Sequence, residues 1–107
     1  MSSYTTVTVE AVVAISDEHP IAAPELAQAC GASMDWVVQL VDVGIVEAPA
    51  SAAQPDDWRF YSADLRSALE ARRLERDFGV GLEAAALILD LEHEVRRLKA
   101  ALQAQRR

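Results

Sequence analysis

The sequence predicts a mainly α-helical protein: a winged helix-turn-helix with a small β wing, followed by a C-terminal coiled-coil dimerisation helix. Three observations predict it. Two short apolar-faced segments, Pro24–Cys30 and Ser33–Val43, are each followed by a glycine, Gly31 and Gly44. An aromatic run, Trp58–Arg59–Phe60–Tyr61, stands alone between a loop and a helix, as a short strand does. Ile88, Leu91, Val95, Leu98 and Leu102 recur at spacings of three, four, three and four, the a/d seam of a coiled coil. A chain of 107 residues fits one small domain with an appended helix. The expected division is an N-terminal extension over 1–20, a winged helix-turn-helix over 21–81 and a dimerisation helix over 82–107.

Each element has its own warrant. Thr5–Val13, with Val7 and Val9 alternating against Thr6 and Thr8, reads as a strand, and Ser16–Pro20 as a polar turn. Pro24 fits a first helical position with Glu25 in the first turn, Leu26 and Ala27 supply apolar residues, and Gly31 stops the helix. Ser33 caps the next helix, Trp36, Val37, Leu40 and Val41 make it apolar, and Gly44 ends it. Ile45–Ala48 leaves in extended form, Pro49–Asp57 is a loop, and Trp58–Tyr61 is the return arm of the wing. Ser62 caps a third helix with a stripe of Leu65, Leu69, Arg73 and Leu74, closed at Phe78–Gly79. Gly81 separates it from the last helix, Leu82–Gln105, where Glu92–Arg96 and Glu94–Arg97 are spaced as ion pairs. The seam on that helix predicts pairing with a second copy; the alternative is that it packs back on the chain's own core.

Charge is divided unevenly. The first 58 residues hold nine carboxylates and neither lysine nor arginine, and all ten basic residues follow, so the two parts carry −9 and +2. A surface that neutralises phosphates needs lysine or arginine. The helix-turn-helix half would repel nucleic acid, and a net charge of −7 likewise disfavours anionic membranes while allowing a basic protein partner. The longest apolar run, Ala84–Leu89, is far too short to span a bilayer. No secretory signal is expected, and the single Cys30 suits a reducing, cytoplasmic location.

Catalytic and metal chemistry find no residues. His19 lies in a turn, His93 on the seam helix, and Cys30 stands without zinc-ligand spacing. There is no phosphate-cradling glycine loop, and Asp56–Asp57 reads as a turn rather than an acid/base pair. The expectation is a non-enzyme without cofactor or metal.

Pro24–Glu25–Leu26–Ala27, Cys30–Gly31–Ala32–Ser33 and Gly44–Ile45–Val46, with the wing Arg59–Phe60–Tyr61–Ser62, resemble the MerR-type regulators. A closer resemblance is to the chaperone modulatory protein CbpM family, a MerR-like offshoot. It rests on Val43–Pro49, Trp58–Arg59–Phe60, Arg73–Val80 and Leu89–Leu98, and covers about residues 21 to 103. Gly81 and Ala84 depart from the family pattern. The resemblance implies a homodimer that binds the J-domain of a DnaJ/CbpA-like co-chaperone, keeps it from DnaK and so inhibits it. It also implies that the J-domain presents a positively charged helix.

The second helix of the motif separates this reading from a DNA-binding transcriptional regulator. Where MerR-type readers present arginine and aromatic residues, this chain has Val38, Gln39 and Leu40, flanked by Asp35 and Asp42. Val38 can neither hold a phosphate nor read guanine. The candidate partner-binding residues are Asp35, Trp36, Val38, Gln39 and Asp42. Trp36, off the Val37–Leu40–Val41 stripe, is expected as an exposed anchor. Trp58 is a candidate for core or contact. Arg73 is expected to pair with Asp77, and Arg72 and Arg76 with Glu75 or solvent. The dimerisation residues are Ile88, Leu91, Val95, Leu98 and Leu102.

Overall fold

Two Schellman turns build the helix-turn-helix. In the computed structural model, which describes residues 19–49 and 54–106, helix α1 spans Ala23–Ala29 and helix α2 spans Met34–Asp42. After α1, Ala32 N–H donates to the Ala27 carbonyl at 2.9 Å and Gly31 N–H to Gln28 at 3.1 Å. After α2, Ile45 N–H donates to Leu40 at 2.9 Å and Gly44 N–H to Val41 at 3.1 Å. Both patterns need a left-handed residue after the cap, and Gly31 and Gly44 sit at φ +65° and +82°. At the start of α1, Pro24 is the second helical residue rather than the first, and the Glu25 carboxylate accepts the Ala22 N–H at 3.0 Å. Ser33 caps α2 by accepting the Trp36 N–H at 3.3 Å.

The wing is smaller than expected and paired differently. Strand β2, Arg59–Phe60, lies antiparallel to β1, Ile21–Ala22, with Ile21 opposite Phe60 and Ala22 opposite Arg59. Its partner therefore comes from immediately before α1. Ile45–Ala48 forms no strand. A 3₁₀ turn, Pro55–Asp57, leads into β2. The strand expected over Thr5–Val13 lies outside the described residues.

Helix α3 spans Ser62–Phe78 and helix α4 spans Leu82–Gln105. Ser62 is the first helical residue, not the cap. Tyr61 is the cap, and the Asp64 carboxylate reaches back to accept its N–H at 2.8 Å. Burial pushes the Asp64 carboxyl above its ordinary value; the Tyr61 N–H pulls it back and neighbouring Glu47 pushes it up again.

One apolar core holds these elements, and no polar side chain is buried in it among the described residues. Phe60, Leu26, Leu40, Leu65 and Val37 are its largest fully enclosed members. Helix α3 contributes Leu65, Ala68, Ala71 and Leu74, whereas Arg73, expected on its stripe, is exposed. Helix α4 packs on α3 and adds Leu82, Ala85 and Leu89 to the same core.

Gly44→Ala should lower unfolding free energy by about 1–2 kcal/mol through backbone strain alone, because a Cβ there meets nothing within 4 Å. Gly81→Ala, at φ −81° and equally unobstructed, should change it by less than about 0.5 kcal/mol. Urea denaturation of the two variants checks both values.

Candidate partner-binding and dimerisation surfaces

Helix α2 turns Trp36, Val37 and Leu40 inward. Asp35, Gln39 and Asp42 are exposed on its other side and Val38 is half-buried between them. These four expected contact residues therefore share one outward face, apolar at its centre and acidic at its ends. The described part of that face holds no cation.

Trp36 does not belong to it. Its side chain is 7 % exposed. The indole Nε1–H donates to Glu75 Oε1 of α3 at 2.7 Å, and the Arg72 guanidinium stands 5.6 Å from the ring centroid. Arg72 also lies 3.6 Å from the Glu75 carboxylate and donates to the Gly31 carbonyl at 3.2 Å. The physical reason is angular. Trp36 lies one turn before Leu40 and one residue before Val37, so the three close a single arc, and Val41 falls at its edge. Trp36 is thus a core residue whose polar edge is satisfied. Arg72 thus takes the Glu75 partner that the sequence offered it; what the sequence did not show is that the pair clamps the Trp36 indole, 39 positions from Glu75.

Arg59, Arg73 and Arg76 are also engaged. Arg59 Nη1 donates to the Asp56 and Trp58 carbonyls at 3.1 and 2.8 Å. Arg73 lies 3.8 Å from Asp77, the pairing its spacing predicts, and Arg76 lies 4.0 Å from the same carboxylate. Half-buried Trp58 packs edge-to-face on Phe60, with ring centroids 6.3 Å apart, which makes it a core-edge residue.

Where α2 ends beside the start of α4, Gln39, Asp42, Val43, Leu82 and Glu83 line an open groove of about 610 Å³. Asp42 is thus both the end of the α2 face and part of this groove's acidic lip.

The expected seam of α4 is on the surface. Leu91, Val95, Leu98 and Leu102 are 56, 49, 53 and 53 % exposed, and Leu87, which the sequence reading left out, is 60 % exposed. Ile88 is half-buried where the seam meets the core. Ile88, Leu91 and Val95 line a shallow depression of about 330 Å³. The seam does not fold back on the chain's own core. Glu94 and Arg97 pair along the helix, whereas Glu92 does not bond Arg96 and its Oε1 is shielded without a hydrogen-bond partner.

Among the described residues, no group of three or more His, Cys, Asp or Glu is placed to hold a metal ion, and no helix is long and apolar enough to cross a membrane. Cys30 is buried, and that burial pushes its thiol up to about 11 despite the nearby Arg72.

Comparison with known proteins agrees with this architecture. A family model described as MerR HTH family regulatory protein matches residues 21–107. The chaperone modulatory protein CbpM of Pseudomonas entomophila (strain L48) is 33 % identical over 75 residues, which is 70 % of this chain and 72 % of that protein. The chaperone modulatory protein CbpM of Pseudomonas putida (strain W619) shows the same identity and coverage. No solved structure matches.

Trp36→Phe should lower unfolding free energy by about 1–2 kcal/mol, because it keeps an aromatic ring in the core but removes the indole donor, leaving Glu75 only its ion pair with Arg72. An exposed tryptophan would give no change, so a denaturant titration distinguishes the two placements.

Proposed function

The chain belongs to the MerR-like family of chaperone modulatory proteins, CbpM, and from that premise we propose that it is a non-enzymatic adaptor. It binds the J-domain of a DnaJ/CbpA-like co-chaperone through the acidic outer face of α2, keeps that domain from DnaK and acts as a homodimer joined along α4. The observation that carries the reading is the face itself: Asp35, Val38, Gln39 and Asp42 lie together on the outside of a helix that, in a DNA reader, enters the major groove.

Electrostatics decides between a basic protein and DNA. Duplex binding is driven by cations that release phosphate counterions, and this face offers two carboxylates instead. At about 4 Å in water each carboxylate costs on the order of 1 kcal/mol against a phosphate. A positively charged protein helix meets the same two carboxylates favourably. Charge complementarity then speeds encounter and orients the complex, while contact at Val38 and its surroundings supplies burial.

The dimer rests on the seam. Four leucine and valine side chains in one stripe, each about half exposed, withhold about 1 kcal/mol each of burial free energy from an isolated chain. A second copy offers the same periodicity, and closed two-fold pairing is the commonest way such a face is covered.

Asp35→Lys with Asp42→Lys should slow association with the J-domain by about tenfold or more at low salt, with the difference shrinking as salt rises. Stopped-flow measurement reads this directly, and an unchanged rate would remove α2 from the interface. Sub-micromolar duplex binding that weakens steeply with salt would instead favour a regulator. Leu98→Asp should yield a folded monomer in light scattering, since Leu98 takes no part in the chain's own core; an unaltered dimer would reject the seam.

A further inference from the structure

The groove where α2 ends beside the start of α4 is built from two kinds of residue. Val43, half-buried, and Leu82, buried, belong to the edge of the core and line it with hydrocarbon. Asp42 and Glu83, both exposed, line it with carboxylates. Neither carboxylate has an ion pair or a hydrogen bond among the described residues.

Such a groove selects a side chain with two halves. Lysine and arginine carry an apolar stem and a charged head. The stem suits Val43 and Leu82, and the head suits Asp42 and Glu83. An acidic or purely apolar occupant satisfies only one half. Residues 1–18 of the chain itself carry Glu10, Asp17 and Glu18 with neither lysine nor arginine, so they have no charge to offer it. A lone pair of carboxylates also falls short of the six or more oxygens, roughly, that a hard cation gathers.

The groove is continuous with the outer face of α2, because Gln39 and Asp42 belong to both. Asp35 and Asp42 stand seven residues apart on that face, about 10.5 Å along the helix, with Val38 between them. Glu83 extends the acidic surface past the end of α2 and onto a second helix.

We propose that the groove is a second part of the partner-docking surface and receives a lysine or arginine of the basic helix that lies on α2. The stem of that residue packs on Val43 and Leu82, and its head pairs with Asp42 and Glu83. The division gives specificity. The α2 face answers to any basic helix, whereas the groove answers only to one whose charge extends past the end of α2. The inference rests on the adaptor reading above and adds Val43, Leu82 and Glu83 to it.

Titration calorimetry of a purified J-domain against the full chain, at low and high salt, tests it. Glu83→Lys should weaken binding about fivefold at low salt, with the difference shrinking as salt rises. Glu83→Gln should weaken it about twofold in the same way. Gly81 also lines the groove, and a Cβ there meets nothing within 4 Å. Gly81→Phe therefore fills the groove without changing its charge and should weaken binding about tenfold at both salt concentrations. Circular dichroism and light scattering establish that each variant keeps the fold and mass of the parent. Unchanged binding in all three variants, while Asp35→Lys still slows association, overturns the groove and leaves the α2 face standing. Weakening by Gly81→Phe alone marks an apolar occupant, and weakening by the Glu83 variants alone marks a field acting from outside the groove; either result overturns the proposal. A change of mass in Glu83→Lys gives the groove to a second copy and overturns it as well. A parent chain that binds no J-domain overturns the adaptor reading and this inference with it.

Discussion

A helix can give only one arc to its own core, and the rest of this structure follows from how α4 divides itself. Its first two turns bury Leu82, Ala85 and Leu89 in the core shared with Leu65, Ala68, Ala71 and Leu74 of α3. That contact fixes the direction in which α4 leaves the domain. After Leu89 no α4 residue is enclosed. The helix nevertheless runs on to Gln105, carrying leucines and a valine on one side. Intrinsic propensity and i,i+3 pairs such as Glu94–Arg97 sustain isolated helices only marginally. A stretch of this length with an apolar stripe is stabilised mainly by what it packs against, so the geometry of the core creates the demand for a second surface.

At the other end of the molecule, the core positions a helix without specifying what it recognises. α2 is held from behind. Trp36, Val37 and Leu40 are enclosed, the indole donates to Glu75, and Arg72 stacks on the ring while it holds the carbonyl of the Gly31 turn. None of these contacts depends on the residues facing outward. Asp35, Val38, Gln39 and Asp42 can therefore change sign and chemistry without cost to the scaffold. Function lives in a surface grafted on a fold. Here the scaffold of a groove reader carries a face that lacks the groove reader's cations.

The helices were legible because their punctuation is strong. Gly31, Gly44 and Gly79 end them, Ser33 starts α2, and the seam of α4 is periodic. The free surface of the seam followed from the same period. What was not legible depended on contacts distant in sequence. Trp36 read as exposed because its burial requires Glu75 and Arg72, 39 and 36 positions away, to satisfy its N–H and cover its ring. The partner of β2 was missed because two residues, Ile21–Ala22, carry too little alternation to announce a strand. Ser62 looked like a cap by residue type, yet Asp64 reaches past it to the Tyr61 N–H. Ala68 and Ala71, both fully buried, were passed over because alanine signals neither core nor surface.

The uneven charge of the chain acquires a physical account once each cation is placed. Had the positive residues been free on the surface, they could have offset the acidic half and offered phosphates a foothold. Four of them are not placed that way. Arg59 is turned onto two carbonyls of its own loop, Arg72 onto Trp36, Glu75 and Gly31, Arg73 onto Asp77, and Arg97 onto Glu94. Exposed pairs of this kind add little stability, yet they remove positive potential from the surface. Arg66 of α3 is exposed, and the remaining basic residues of α4 lie on the protruding helix. The outer face of α2 is therefore left with carboxylates and no cation of its own. A field of that sign repels polyanions before contact and attracts a basic protein surface from about a Debye length away, roughly 8 Å at physiological salt.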